Sequence, residues 1–400
     1  MCAIVVVGAG QAGASLVAKL RALGHAGPIT LIGDEPVPPY QRPPLSKKYL
    51  LGELPTERLF LRPEAFYAEN DIALKLGLPV TGIDTAARRI WLGDEALNYG
   101  HLALTTGATP RRLPDAIGGA MAGVHCVRRL SDIDAMAPEF APGRRVLIVG
   151  GGYIGLEAAA VASQRGLKVT LIEAAPRILQ RVAAPETADF MRDLHLAQGV
   201  RIIEGCGLVR LTGDGRVAGA VLSDGQELVA DFVIVGIGIN PATALAEAAG
   251  LQLENGIATD ALGRTSAPNV WAAGDCASFP WDGGRTRLES VQNAIDQAEC
   301  VAANMLGAEK SYVPLPWFWS DQYDLKLQIA GLNTGYDHVV VRQTEGARSH
   351  WYYAGARFLA VDAMNDPRAF MLGKRLLEAG RTPDPALVAD PACDLKTLLR

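Results

Sequence analysis

The chain has 400 residues and a formal net charge of -5, with 49% hydrophobic and 20% charged residues. This length predicts two or three domains. The acidic balance argues against nucleic acid as the main partner, because nucleic-acid binding needs a basic surface. The 6 cysteines are scattered without a CxxC or CxxxxC pair, which indicates neither a disulfide framework nor a metal site.

The sequence shows no secretory signal and no uninterrupted apolar stretch of membrane-spanning length. We therefore expect a protein that stays in the cytoplasm and binds neither membrane nor nucleic acid.

The first 34 residues match the βαβ dinucleotide fingerprint. An apolar run at 4–7 leads into Gly8, Gly10 and Gly13, and a helical pattern and a second apolar run follow, ending at Asp34. In this fingerprint the first glycine allows a tight turn, the second lets backbone approach a pyrophosphate, and the third permits close helix–strand packing. The acidic residue accepts hydrogen bonds from the adenosine ribose. The segment therefore predicts a dinucleotide site.

A proline-rich stretch at 36–50 follows and cannot form a central strand. Ser46 is a candidate N-cap for a short helix. A rigid surface loop is the simplest interpretation of this composition. Because the stretch follows a nucleotide site, Arg42 and Lys47 are also candidates to meet phosphate or a cofactor head.

Two later apolar strands end in turns that suit a ligand site. The strand that breaks at Thr106-Gly107 is expected to pass close to a bound ligand. Another strand delivers Gly274-Asp275, where Asp275 is placed to bind a ribityl hydroxyl or a phosphate-linked oxygen, a simple turn being the alternative. We expect His101 to be a solvated turn residue.

The opening pattern repeats from residue 145. An apolar strand leads into Gly150, Gly152 and Gly155, and a helix and a second strand end at Glu173. A ribose 2′-hydroxyl can donate to this carboxylate, whereas a 2′-phosphate would be repelled, so NADH is preferred over NADPH. Arg177 and Arg181 lie just beyond Glu173 and weaken that preference slightly. Two fingerprints in one chain imply two dinucleotides held at once.

After residue 312 the pattern changes to short alternating segments separated by glycines. The segments 326–329, 338–342 and 349–353 predict a small antiparallel sheet, and a final helix is expected over about 367–380.

These features resemble the two-dinucleotide flavoproteins that share the glutathione-reductase fold. Within that superfamily the segments 42–47, 152–157 and 316–322 resemble the FAD-dependent, NADH-using ferredoxin reductases of oxygenase systems, the putidaredoxin reductase and biphenyl dioxygenase ferredoxin reductase type. The resemblance runs nearly end to end, and the tryptophan-containing segment 316–322 is its most discriminating part.

The resemblance implies an α/β fold with two Rossmann-like dinucleotide-binding domains and a C-terminal α+β domain. The expected boundaries are 1–110 and 237–312 for a discontinuous FAD-binding domain, 111–236 for the NAD-binding domain and 313–400 for the C-terminal domain.

The resemblance also implies which residues contact the two cofactors, FAD and NADH. With Thr106 and Gly107 of the strand-end turn included, the expected FAD residues are Gly8, Gly10, Ala12, Gly13, Asp34, Arg42, Lys47, Val80, Thr106, Gly107, Arg128, Asp275 and Val291. The expected NAD residues are Gly150, Gly152, Tyr153, Ile154, Gly155, Glu173, Arg181 and Gly236.

Three residues are implied near the reacting end of the flavin. Lys47 would sit at the reactive edge, paired with Glu157, and Trp319 would lie close to the flavin where the partner docks. Disulfide reductases and peroxidases of the superfamily carry redox cysteines after the first βαβ unit, but residues 42–47 contain none. The flavin therefore has no thiol to which it can pass electrons.

The implied reaction is hydride transfer from NADH to FAD, followed by release of single electrons to a 2Fe–2S ferredoxin. The ferredoxin is a separate chain that serves a cytochrome P450 or a Rieske ring-hydroxylating dioxygenase, and the reductase is expected to act as a monomer. Docking of an acidic ferredoxin would use a local basic patch. Candidate residues for that patch are Arg285, Arg287, Lys310, Lys374 and Arg375.

Two alternatives stay open at this stage. One is an NADH oxidase or peroxide reductase, which the missing cysteine disfavours. The other is a protein similar to apoptosis-inducing factor, whose extra targeting or basic segments are not seen.

Overall fold

The computed structural model describes residues 2–399, which form two compact units. Unit 1 comprises residues 2–41, 56–109 and 240–316. Unit 2 comprises residues 42–55, 110–239 and 317–399. Each unit is thus assembled from segments that are distant along the chain.

Unit 1 is built on a five-stranded parallel sheet. Its strand order is Val270–Ala272, His101–Leu104, Ile4–Val7, Ile29–Ile32 and Ile72–Lys75. The central strand Ile4–Val7 is buried along its whole length. Branched apolar residues fit there because a central parallel strand is covered on both faces. Leu16 and Leu20 of the following helix belong to the same core as Val301.

Unit 1 contains two further sheets and several helices. An antiparallel sheet contains Gly82–Asp84, Arg89–Leu92 and Glu95–Asn98, and a second small sheet contains Ile257–Ala258, Ala277–Trp281 and Gly284–Thr286. The helices are Gln11–Ala22, Glu64–Glu69, Ala244–Ala248 and Val291–Met305, with a short helical turn at Thr56–Arg58.

The expectation for His101 is wrong, because this residue begins the strand His101–Leu104 and is partly buried. Its Nδ1 accepts a hydrogen bond from Trp271 Nε1 at 3.2 Å. Burial lowers the pKa of His101, which keeps the imidazole in the neutral form that can accept this bond.

Unit 2 contains a second five-stranded parallel sheet. Its order is Arg201–Glu204, Lys168–Glu173, Arg145–Val149, Phe232–Val235 and Val124–Cys126. Beside it is an antiparallel sheet of Leu208–Thr212, Gly219–Leu222 and Glu227–Val229. The helices of this part are Leu130–Met136, Tyr153–Gln164 and Pro185–Ala197, with helical turns at Leu45–Tyr49, Asp115–Ile117 and Ala137–Glu139. Two further short strands, Ala108–Pro110 and Ile239–Pro241, lie at the sequence boundaries of the units.

The C-terminal part of unit 2 is an antiparallel sheet with a helix packed on it, as predicted. The sheet order is Trp317–Gln322, Leu325–Gly331, Arg357–Met364, Ala347–Ala354 and His338–Thr344. The predicted final helix is confirmed as Pro367–Glu378, and Pro385–Ala389 and Leu395–Leu399 follow it. Phe370 and Leu376 of the helix pack with Trp351 of the sheet in one core.

Candidate functional site

The first fingerprint forms a tight loop in which two glycines are required by packing. Gly8 has a φ of +112°, and a β-carbon there would lie 2.2 Å from the carbonyl oxygen of Thr105. A β-carbon on Gly13 would lie 2.1 Å from the carbonyl oxygen of Gly8. At Gly10, in contrast, no atom lies within 4 Å of the β-carbon position. The loop itself therefore needs glycine at positions 8 and 13, whereas position 10 leaves room for a ligand to approach the backbone.

The helix Gln11–Ala22 begins directly after this loop. Gly10 is its N-cap, no side chain caps it, and its first turn has no acidic residue. Backbone N–H groups at such a helix start need acceptors, and the helix dipole favours an anion there. The residues of the first fingerprint thus fit the pyrophosphate of a dinucleotide.

Two other predicted turns of unit 1 lie at the same edge of the sheet. Thr106-Gly107 and Gly274-Asp275 follow the neighbouring strands His101–Leu104 and Val270–Ala272, whose carboxyl ends point the same way as that of the fingerprint strand. A β-carbon on Gly274 would lie 3.0 Å from Cβ of Ala12, so the turn packs against the first helix. Ligands of open parallel sheets bind at this edge.

The remaining predicted residues of unit 1 are spread over three further elements. Asp34 follows the strand Ile29–Ile32, and Val80 is buried in the core on the other face of the sheet. Val291 is the first residue of the helix Val291–Met305.

The second fingerprint repeats the first geometry in unit 2. Gly150 has a φ of +108°, and a β-carbon there would lie 2.4 Å from the carbonyl oxygen of Gly236. A β-carbon on Gly155 would lie 2.1 Å from the carbonyl oxygen of Gly150, and the same position at Gly152 has no atom within 4 Å. The helix Tyr153–Gln164 then starts without a side-chain cap or an acidic first turn. This loop also fits a pyrophosphate.

Glu173 lies at the end of the second strand of this unit and touches the glycine loop. Its Oε2 accepts a hydrogen bond from Gly151 N at 2.7 Å, and its Oε1 accepts one from Ala175 N at 2.7 Å. Arg177 donates to the carbonyl oxygen of Ala183 at 2.8 Å and is therefore held by the backbone. The guanidinium of Arg181 lies near the backbone of Gly238.

The predicted NAD residues at the start of the second helix differ in exposure. Ile154 is 42% exposed. The hydroxyl of Tyr153 is buried, and burial raises its pKa well above the usual range. The Tyr153 ring packs on Phe318, with ring centroids 4.9 Å apart.

Lys47 and Glu157 form an ion pair in unit 2. Lys47 Nζ lies 3.0 Å from Glu157 Oε1, with side-chain exposures of 16% and 9%. The same carboxylate accepts a hydrogen bond from Ser46 Oγ at 2.9 Å and one from Ser320 Oγ at 2.7 Å. Asp321 Oδ2 is 4.0 Å from Lys47 Nζ on the more exposed side. Lys47 and the two serine hydroxyls therefore fix the position of the Glu157 side chain, and Glu157 in turn holds the Lys47 ammonium.

Sequence reasoning missed the two serines in this cluster. The expectation that Ser46 caps a helix is wrong, because the helical turn Leu45–Tyr49 begins after Pro44 and the Ser46 hydroxyl donates to Glu157 instead. Ser320 lies on a strand beside the predicted Trp319. Polar residues on the inward face of that strand were the available signal.

Other predicted residues of unit 2 lie in pairs. Arg42 Nη1 donates to the carbonyl oxygen of Arg128 at 2.6 Å. Trp319 packs on Trp317, with ring centroids 5.5 Å apart, and Lys374 Nζ lies 5.6 Å from the Trp317 ring centroid. The Trp317 ring is partly buried, and its face attracts the Lys374 ammonium electrostatically.

Two of the candidate docking arginines are engaged within unit 1. Arg285 donates to the carbonyl oxygens of Thr259 and Ser278 and pairs with Glu254 at 3.0 Å. Arg287 donates to the carbonyl oxygen of Asp275 at 3.0 Å. Both side chains are thus held by neighbouring backbone.

The chain matches two protein families. Residues 2–298 match the pyridine nucleotide-disulphide oxidoreductase family, and residues 317–399 match the reductase C-terminal family.

Similar proteins cover the whole chain. A ferredoxin–NAD(P)+ reductase from a Sphingomonas species is 44% identical over 99% of this chain and 97% of its own length. Rhodocoxin reductase from Rhodococcus erythropolis is 42% identical over 98% of this chain and 93% of its own length. The crystal structure of a covalent putidaredoxin reductase–putidaredoxin complex contains a chain that is 39% identical, with a TM-score of 0.96, and the match covers 100% of this chain and 98% of that chain.

Across residues 2–399, no helix has the length and apolar character needed to cross a membrane.

Proposed function

Since this chain belongs to the pyridine nucleotide-disulphide oxidoreductase family, we propose that it is an NADH:ferredoxin oxidoreductase of an oxygenase system. It uses FAD and a nicotinamide dinucleotide and passes electrons to a separate 2Fe–2S ferredoxin. The observation that carries the proposal is the pair of matching glycine loops, one in each unit, in a chain similar over its whole length to ferredoxin reductases.

The two units have different proposed ligands. We assign FAD to the fingerprint of unit 1, with Gly8, Gly10 and Gly13 around its pyrophosphate. We assign the nicotinamide dinucleotide to Gly150, Gly152 and Gly155 of unit 2, with Gly236 supporting the loop. The open β-carbon positions at the middle glycines support both assignments.

FAD, when bound, supplies the chemistry of accepting a hydride and releasing electrons one at a time. In the proposal Lys47 contacts the flavin, and its positive charge favours the reduced cofactor. Glu157 keeps Lys47 in place, because their polar atoms are 3.0 Å apart and both side chains are largely buried. Trp319 precedes Ser320 on the strand Trp317–Gln322, and Ser320 donates to Glu157. Trp319 is the proposed neighbour of the docked ferredoxin.

The proposed nicotinamide substrate is NADH rather than NADPH. The Glu173 carboxylate lies at the end of its strand, where it accepts bonds from the glycine loop, and an anionic 2′-phosphate beside it would be repelled. Arg177 donates to the backbone carbonyl oxygens of Ile178 and Ala183, which fix the position of its guanidinium. Replacing Glu173 by Gln should lower the ratio of kcat/KM for NADH to kcat/KM for NADPH by about tenfold. An unchanged ratio would contradict the assignment.

The proposed electron acceptor is a ferredoxin and not a protein thiol. Residues 42–47 contain no cysteine, and all 6 cysteines of the chain are free. The ferredoxin in turn serves a cytochrome P450 or a ring-hydroxylating dioxygenase. We place the protein in the cytoplasm, where free thiols are maintained.

The test is anaerobic reduction of a purified 2Fe–2S ferredoxin by NADH and the FAD-loaded protein. We expect two ferredoxin molecules to be reduced for each NADH oxidised. Peroxide-dependent NADH oxidation that needs no ferredoxin would show an NADH oxidase or peroxide reductase instead. A protein that cannot be loaded with FAD would refute the proposal altogether.

A further inference from the structure

Four polar side chains of unit 2 form a continuous hydrogen-bonded chain that ends at Glu157. Tyr323 Oη lies 3.2 Å from His195 Nδ1, and His195 Nε2 lies 2.7 Å from Gln322 Oε1. Gln322 Nε2 lies 3.0 Å from Ser320 Oγ, and Ser320 Oγ lies 2.7 Å from Glu157 Oε1. We call Tyr323, His195, Gln322 and Ser320 the donor chain.

The donor chain is shielded from solvent at its three inner members. His195 and Ser320 are 0% exposed and Gln322 is 1% exposed. The polar side-chain atoms of His195, Gln322 and Ser320 therefore pair with one another, with Tyr323 or with Glu157, because a buried polar atom without a hydrogen-bond partner is costly.

The charge of Glu157 fixes the direction of every bond in the donor chain. A carboxylate only accepts, so the Ser320 hydroxyl must donate to it. The oxygen of Ser320 is then an acceptor for the amide nitrogen of Gln322, which turns the Gln322 oxygen toward His195. That oxygen needs a donor, so His195 carries its proton on Nε2, and Nδ1 accepts from the Tyr323 hydroxyl.

His195 is suited to this arrangement because it is a neutral imidazole. Burial lowers the pKa of His195, although its bond to Gln322 acts in the opposite direction. A neutral imidazole has one donor and one acceptor, and the donor chain uses both.

We propose that His195 and Gln322 are positioning residues: they fix the Ser320 hydroxyl as a donor to Glu157 and so hold Glu157 as the partner of Lys47. Without the His195 donor, the Gln322 amide is free to turn over and to accept the Ser320 hydroxyl itself. Glu157 then loses one of its three donors, and Lys47 is held less firmly. The inference rests on the proposed function insofar as Lys47 acts on the flavin.

The proposal accounts for the pattern of the strand Trp317–Gln322. Ser320 and Gln322 are two residues apart and therefore lie on the same face, and both are buried. Polar residues at buried strand positions normally weaken a fold unless they are paired. Here both are paired with one another and with residues of two helices, Tyr153–Gln164 and Pro185–Ala197.

The first experiment measures the tautomer of His195 by nitrogen-15 NMR of histidine-labelled protein, and the signal missing from His195→Gln assigns it. We expect the Nε2–H tautomer in the wild type and a mixture of tautomers in Ser320→Ala, although Ser320 does not touch His195. An Nδ1–H tautomer in the wild type, or an unchanged tautomer in Ser320→Ala, would overturn the proposal. This measurement requires neither NADH nor ferredoxin, so its result does not depend on whether the proposed function is correct.

The second experiment measures the rate of flavin reduction by NADH in the FAD-loaded protein by stopped-flow absorbance. His195→Leu and Ser320→Ala should each slow reduction by about tenfold, the effect of losing one hydrogen bond to a charged group. His195→Gln restores an N–H donor and should react at close to the wild-type rate. Equal slowing by His195→Gln and His195→Leu would overturn the proposal.

His350→Leu is the matched control, since it removes another buried histidine of unit 2 outside the donor chain. His350 Nδ1 is 2.7 Å from Thr187 Oγ1, so the variant loses a comparable buried bond. We expect a lower melting temperature and an unchanged reduction rate. If His350→Leu slowed flavin reduction as much as His195→Leu, the donor chain would have only a structural role. If the wild type itself showed no flavin reduction by NADH, the proposed function would fail, whatever the tautomer.

Discussion

Replacing Lys47 with Met should destabilise the protein more than replacing both members of the ion pair. Lys47→Met leaves the Glu157 carboxylate buried with two serine donors and without its counter-ion. Removing one partner of a buried pair typically costs about 3–5 kcal/mol. The two remaining hydrogen bonds and the 16% exposure of Lys47 reduce this to about 2 kcal/mol.

Glu157→Gln should cost less, about 1 kcal/mol, because the amide oxygen still accepts from Ser320 and the amide nitrogen can donate to the hydroxyl oxygen of Ser46. Lys47 also retains Asp321 and solvent. The double variant Lys47→Met/Glu157→Gln has no buried charge without a counter-ion, and its free energy of unfolding should also fall by about 1 kcal/mol. The coupling free energy is then about 2 kcal/mol, and Glu157→Gln rescues Lys47→Met.

The assay is urea unfolding of all four proteins, followed by circular dichroism at saturating FAD so that cofactor occupancy is equal. Two single effects that add within about 0.5 kcal/mol would refute the reasoning. A double variant less stable than Lys47→Met would refute it as well.

Three further predictions follow from single contacts. Gly10→Ala and Gly152→Ala should both fold with unchanged melting temperatures, because no atom lies within 4 Å of either β-carbon position. The absorbance of the purified proteins should show loss of FAD only from Gly10→Ala. Gly152→Ala should instead raise KM for NADH. Burial raises the pKa of Asp362 from 3.8 to about 6, so this carboxyl binds its proton more tightly in the folded state and its contribution to stability falls as the pH rises through about 4 to 6. Asp362→Asn should therefore gain about 2 kcal/mol relative to the wild type between about pH 4.5 and 7.5 in urea unfolding, and a pH-independent difference would contradict this. Arg342→Met should lower the free energy of unfolding by about 2–3 kcal/mol and expose the 385–399 segment to limited proteolysis. The reason is that the buried Arg342 guanidinium donates to several carbonyl oxygens of that segment. Unaltered cleavage would show that Arg342 does not hold the segment in place.

The glycine loops were predictable because their chemistry is local. A β-carbon on Gly13 is excluded by the Gly8 carbonyl oxygen of the same loop, which the spacing in sequence determines. A β-carbon on Gly8 is excluded by the carbonyl oxygen of Thr105, which follows the neighbouring strand of the sheet. The same holds for Gly150 and Gly155. The dinucleotide-binding sheets and the final helix were accordingly predicted and are confirmed.

Two strands of the C-terminal sheet were missed because tertiary contacts determine their composition. The strand Arg357–Met364 is central in its sheet and buried on both faces, so it lacks the alternation that marks a half-exposed strand. The strand Trp317–Gln322 turns Ser320 and Gln322 inward, which reverses the usual pattern, because these residues pair with Glu157 and His195.

The roles of single polar residues were the least predictable. The composition around Ser46 suits a helix cap, but its hydroxyl instead reaches a carboxylate that is 111 residues away in sequence. His101 follows a glycine, which favours an exposed turn, but its strand pairing and its contact with Trp271 leave it partly buried. The partners of such residues depend on which distant segments the fold brings together. Local sequence patterns do not contain that information.

The central claim is that this chain carries electrons from NADH to a ferredoxin through FAD alone, without a protein thiol. The most direct measurement is the number of 2Fe–2S ferredoxin molecules reduced per NADH by the FAD-loaded protein after its accessible cysteines have been alkylated. The account predicts two ferredoxins per NADH, at the same rate as before alkylation. NADH oxidation that leaves the ferredoxin oxidised, or ferredoxin reduction that alkylation abolishes, would contradict it.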